Sequence, residues 1–166
     1  MLTLVIAAVL IALDQLTKYL ATTFLAPVGS VPFLPGIMEL RYVLNDGMAF
    51  SMLAGKRWIL VAATGIALCA IAVYLWRKKP ATKAEYLEYW SWVLVFAGGV
   101  GNLIDRVRTG YVVDFFATTF IDFAVFNVAD CFVTVGIALL IISVILLERG
   151  SSQKTCETDG SDGANV

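Results

Sequence analysis

Two aspartates are the side chains in this sequence best placed to do chemistry: Asp114 in "GYVVDFF" and Asp130 in "VFNVADCFVTVG". The chain has no histidine, which excludes Ser-His-Asp and Cys-His machinery and His-ligated zinc. Two carboxylates meeting in a low-dielectric site do not both ionise easily. One pKa rises, the other falls, and the pair shares a proton. The ionised member takes a proton from water while the protonated member donates to the scissile carbonyl oxygen. This hydrolysis needs no metal, serine or histidine, and no cofactor is expected.

Other acids compete for these roles. Asp105 adjoins Arg106 and is expected to stay ionised as its partner, making an orienting ion pair. Asp114 has no adjacent cation, so burial would push its pKa upward. Asp130 stands three residues after Asn127, a good N-cap, where an acid completes a capping box and complements the helix dipole. The plainer alternatives are an exposed loop aspartate at 114 and a simple helix cap at 130. Asp122, in the loop between them, is a weaker candidate. A serine–lysine pair from Ser51 and Lys56 has nothing to bring it together. "GVGN" fails the Gly-x-Gly-Asp signature of presenilin-type proteases.

The elements that must position these acids belong to a membrane protein. The 166 residues are 60% hydrophobic and 15% charged, against about 25% charged in ordinary soluble domains. A net charge of −1 leaves no nucleic-acid footprint. Three unevenly spaced cysteines, Cys69, Cys131 and Cys156, make no disulfide framework. Four windows are long and apolar enough to span a bilayer, roughly Leu2–Leu25, Trp58–Trp76, Tyr89–Val107 and Phe126–Leu147. The first is read as a retained span, since Asp14, Gln15 and Lys18 break its apolar run and it lacks a basic start. Arg77, Lys78, Lys79 and Lys83, with Arg149 and Lys154, favour both termini inside and the 26–57 and 108–125 loops outside. Alternation from Met38 to Leu44, followed by the turn signal Asn45-Asp46-Gly47, predicts a β-hairpin or curved sheet on the outer surface. The fold class is thus an all-α integral membrane protein, four transmembrane helices with a small outer β-cradle over about 30–55. Residues 1–149 form one domain, and the polar 150–166 tail is expected to be disordered.

Polar groups inside these spans require reasons. Asp14 and Lys18 are spaced i, i+4 and read as a self-neutralising structural pair facing the bundle. In "FAGGVGNLIDRV", Ala97 and Gly101 allow close helix approach, with Gly98 and Gly99 thinning the same stretch, and Asn102 shares a face with Arg106.

The motifs "DQLTK" (14–18), "NDGMAFS" (45–51), "GGVGNLIDR" (98–106), "VVDF" (112–115) and "FNVAD" (126–130) stand in the order found in bacterial lipoprotein signal peptidases, and the chain resembles that family over nearly its whole length except the tail. The resemblance implies a multi-pass aspartyl endopeptidase of the bacterial cytoplasmic membrane. Such an enzyme cuts a prolipoprotein just before a cysteine carrying diacylglyceryl. It implies Asp114 and Asp130 as the dyad. Asn45, Gly47, Asn102, Asp105, Arg106, Asn127 and Ala129 would bind or orient substrate, and Asp14 and Lys18 would be the first-span polar pair. The expected partners are that lipidated substrate and membrane lipid, with the enzyme a monomer. Met48 stands where the family usually has a small residue, and Asp46 adds a charge. The rival classes are a transporter, which would place charge near the midplane, and an assembly factor, which would tolerate Asp→Asn changes at 114 and 130.

Overall fold

The structure, a computed structural model, describes residues 1–47 and 55–159. The sequence departure at Met48, Ser51 and the far part of the expected cradle lie outside the described residues. Among the described residues four long helices form a bundle: α1 (Leu2–Leu20), continued by a π-helical turn Ala21–Leu25, α2 (Arg57–Arg77), α3 (Lys83–Arg108) and α4 (Val128–Asp159). Three strands, β1 (Ser30–Leu34), β2 (Met38–Asn45) and β3 (Val112–Thr118), make an antiparallel sheet in that order.

The molecule is apolar outside and polar within. Leu4, Val9, Leu16, Ile66, Val73, Ile137 and Ile141 point outward, while Asp14, Ser91, Asp114, Asn127 and Ser143 are among the largest fully buried side chains. That arrangement suits a lipid solvent, where apolar surface needs no hiding and polar groups must satisfy one another. α1 with its π turn (Leu2–Leu25), α2 and the first part of α4 (Val128–Glu148) are each long and apolar enough to cross a membrane. α3 is long enough, at about 1.5 Å per residue, but less apolar. It is the central helix and packs against α1, α2 and α4. Its small residues serve that packing. A Cβ on Gly98 would run into the Ala129 carbonyl and lie 2.8 Å from Val133, and one on Gly99 would lie 2.8 Å from Leu68. A Cβ on Gly101 would strike the Asp14 carboxylate.

The ends of α3 are set by local chemistry. Thr82 Oγ1 accepts from the Glu85 N–H at 3.2 Å, and the Glu85 carboxylate accepts from the Thr82 N–H at 3.0 Å, a reciprocal capping box. At the other end Gly110, with φ +92°, turns the chain into β3. There Arg57 reaches from the start of α2 to donate to the Val107 carbonyl at 2.6 Å. Trp58 and Trp76 project from the two ends of α2, as interfacial aromatics do.

The sheet differs from expectation in one respect. The β1–β2 hairpin turns at Pro35-Gly36-Ile37, where Gly36 adopts φ +74°, and not at Asn45-Asp46-Gly47. The latter segment ends β2, with the Gly47 N–H donating to Asn45 Oδ1 at 3.0 Å, an Asx turn that satisfies the backbone locally. β2 pairs with β3, so the loops after α1 and α3 meet at one end of the bundle. The segment returning to α4 closes on β3 through Phe116 and Phe126, whose backbones exchange bonds of 2.8 and 3.1 Å. α4 runs from Val128 to Asp159.

Replacing Gly98 with Val should lower the thermal midpoint of detergent-purified protein, with a loss of roughly 1–3 kcal/mol from overpacking. Gly65→Ala, where a Cβ meets nothing within 4 Å, should be neutral or stabilising by up to about 1 kcal/mol.

Candidate active site

The site is built where α1, α3, the β2–β3 end of the sheet and the start of α4 converge. The Phe116–Phe126 bridge sets Asp114, two residues before Phe116, beside Asn127, one residue after Phe126. Asn127 Nδ2 donates to Asp114 Oδ1 at 2.6 Å. The other carboxylate oxygen of Asp114 accepts from Asn45 Nδ2 at 2.9 Å. Asn45 is free to donate this way because its Oδ1 already holds Gly47.

Asp130 sits in the first turn of α4. The predicted capping box forms: the Asp130 N–H donates to Asn127 Oδ1 at 3.0 Å, and Asp130 Oδ2 accepts from the Asn127 N–H at 3.1 Å. Its Oδ1 accepts from Asn102 Nδ2 at 2.8 Å. Asn127 therefore touches both aspartates, through its amide on one side and its backbone and Oδ1 on the other. Both carboxylates line one cavity of about 510 Å³, together with Asn45, Asn102, Arg106 and the apolar Val125, Phe126 and Val133.

Behind this pair lies a buried ionic cluster. The Lys18 ammonium is 2.9 Å from Asp14 Oδ2 and 2.8 Å from Asp105 Oδ2, and it donates to Asn102 Oδ1 at 2.8 Å. Asp14 is 0% and Lys18 3% exposed, so all three ammonium donors are used within the protein. Asn102 Oδ1 also accepts from Asn127 Nδ2 at 3.1 Å, which leaves its own amide hydrogens for Asp130. The second Asp14 oxygen accepts from the Ala129 N–H at 3.0 Å, at the start of α4.

Two expectations change. Asp105 does not pair with Arg106. Its partners are Lys18 and Gln15, whose Nε2 donates to Asp105 Oδ1 at 3.0 Å. Consecutive helix residues do not face each other: Asp105 points to α1, while Arg106 lines the cavity and donates to the Gly47 carbonyl at 2.7 Å. The Asp14–Lys18 pair is also more than self-neutralising, since it anchors α3 and α4. Gln15 also belongs to this network. It donates to Asp105, Asp14 and the Gly101 carbonyl. A long polar side chain inside an apolar run was the signal. Asp122 is exposed at a second cavity and does not enter this network.

Burial is the main reason the Asp114 carboxyl is pushed up to about 6, and the Asn45 hydrogen bond opposes it. The nearby Asp130 charge raises it further, while Asn127 and Lys18 lower it. A carboxyl near 6 beside a second carboxylate that caps a helix N-terminus puts the two acids in unlike surroundings.

The chain is also similar to known proteins. The profile of "Signal peptidase (SPase) II" matches residues 6–146. A protein named "Lipoprotein signal peptidase" from Symbiobacterium thermophilum is 42% identical over 151 residues, covering 90% of this chain and 97% of that one. One of the same name from Streptococcus pyogenes serotype M6 is 42% identical over 136 residues, covering 80% and 86%. Two solved structures, both described as a bacterial membrane enzyme, superpose with TM-scores of 0.74 and 0.75. They are 36% and 35% identical, cover 86% of this chain, and are themselves covered to 87% and 91%.

Lys18→Met should cost about 3–5 kcal/mol, because it leaves two buried carboxylates without their cation. Adding Asp14→Asn and Asp105→Asn should recover most of that loss. Thermal midpoints of the single and triple variants measure both effects.

Proposed function

The chain belongs to the signal peptidase II family, and on that footing we propose that Asp114 and Asp130 are its catalytic dyad. The family is one of aspartic peptidases, and the protein removes signal peptides from prolipoproteins in a bacterial membrane.

In this reading a water held between the two carboxylates is the nucleophile. Asp130 takes a proton from it as the oxygen attacks the scissile carbonyl, and protonated Asp114 donates to the carbonyl oxygen. The resulting gem-diol intermediate collapses when the proton on Asp130 passes to the leaving amine and Asp114 takes back the proton it gave to the oxygen, which restores the dyad. The observation that carries this reading is the single residue, Asn127, hydrogen-bonded to both carboxylates, which themselves line one cavity. Asn45 and Asn102 orient one aspartate each, and Arg106 with Gly47 holds the end of β2 over the cavity. Ala129 gives the backbone N–H that ties α4 to Asp14.

The substrate is a prolipoprotein bearing diacylglyceryl on the cysteine that follows the scissile bond. The cavity's apolar walls suit an apolar signal segment. Residues 1–149 make the peptidase domain, and all four helices cross the membrane, α3 as the inner one shielded by the rest. Both termini face the cytoplasm, the sheet and dyad lie at the outer face, membrane lipid surrounds the bundle, and the enzyme acts as a monomer. No role is assigned to the polar tail.

Purified wild-type protein should cleave a diacylglyceryl-prolipoprotein peptide, while folded Asp114→Asn and Asp130→Asn variants should lose at least about 10³-fold in kcat/KM. Normal turnover by folded Asp114→Asn would sink the dyad. Asp114 must be protonated to donate, and its pKa is raised to about 6. A group raised in this way is increasingly ionised as pH climbs through that value, so kcat/KM should fall about tenfold per unit above it. A pH–rate profile flat from 5 to 8 would rule out Asp114 as the acid.

A further inference from the structure

Asn45, Asp114, Phe123, Ala124 and Val125 form a wall common to two cavities. The first, described above, extends along α4 past Val133, Thr134 and Val135. The second, of about 240 Å³, has no helix residue in its lining. Beyond the shared wall it is bounded by Val43 and Leu44 of β2, by Asp46 and by Asp122. The two cavities thus share the wall that carries Asp114, one bordered further by α3 and α4 and the other by β2 and the 122–125 loop.

A peptide cut at Asp114 has two halves of different chemistry. The apolar signal segment belongs on the bundle side. The segment after the lipidated cysteine must leave on the other, through the space between the end of β2 and the 122–125 loop. That space carries two exposed carboxylates, Asp46 and Asp122, neither with an ion pair among the described residues. We infer that the second cavity is an exit subsite for the first few residues after the lipidated cysteine, and that Asp46 and Asp122 make it favour cationic over anionic residues there. This rests on the peptidase reading above and adds a specificity to it. A cavity serving only to admit water would give no dependence on peptide charge.

The test uses three synthetic diacylglyceryl-peptides that differ only at the second and third positions after the lipidated cysteine, with Lys-Lys, Gln-Gln or Glu-Glu. Wild-type kcat/KM should fall in that order. The Lys-Lys to Glu-Glu ratio should be on the order of tenfold in dilute buffer, as exposed charge pairs allow, and should shrink at high salt. In the Asp46→Asn/Asp122→Asn double variant the ratio should collapse towards one, and in Asp46→Lys/Asp122→Lys it should invert. Each ratio is taken within one protein preparation, so partial unfolding cancels. A wild-type ratio near one, or a ratio unchanged in the Asn/Asn variant, overturns the inference. Failure of wild type to cleave even the Gln-Gln peptide would instead remove the peptidase reading, and the inference with it.

Discussion

A single ammonium group holds this site together. Lys18 is shut away from solvent between α1 and α3, where an isolated cation would be too costly to keep. Its three hydrogens go to two carboxylates and one amide oxygen, and that demand orders its surroundings. Because Asn102 Oδ1 must face Lys18, its amide must face Asp130. Because Asp14 is pinned by Lys18, its free oxygen stays fixed over the start of α4 and receives Ala129. Three helices are registered by one charge, and the proposed dyad inherits its geometry from that registration.

The same logic explains why the seam beside it is thin. Lys18 reaches Asp105, and Asp14 reaches Ala129, only if α3 and α4 come close to α1, and the side-chain-free faces of Gly98 and Gly101 permit it. In water such an interior would be poor, with few large apolar groups to bury. In a bilayer the balance changes. The apolar exterior is already solvated, and association rests on close contact and on polar groups that find partners inside.

Much of this was legible in the sequence because each signal was local. Apolar run length gave four helices, alternation gave β2, and Asn127 three residues before Asp130 gave the capping box. Asp114 and Asp130 were singled out by absence of histidine and by contrast of surroundings, and both line one cavity. What the sequence hid was partnership across elements. Adjacency of Asp105 and Arg106 suggested an ion pair, but a helix turns neighbours away from each other, and the partner lay on α1. The hairpin turn was misplaced because Asn45-Asp46-Gly47 fits a turn equally well when it ends a strand. Thr82 and Glu85 carried a readable capping box that the hydropathy pattern overshadowed.

Asn127 both starts the last helix and grips both acids. Those duties cannot be separated, since the bonds that begin α4 are among the bonds that aim Asp130. While the ribosome is still delivering this chain to the membrane, the first three helices and the sheet lack one carboxylate and the residue that would align the other. Under the proposed dyad, proteolytic competence therefore arrives only once α4 has formed, and the chain carries no active blade before its last helix is in place.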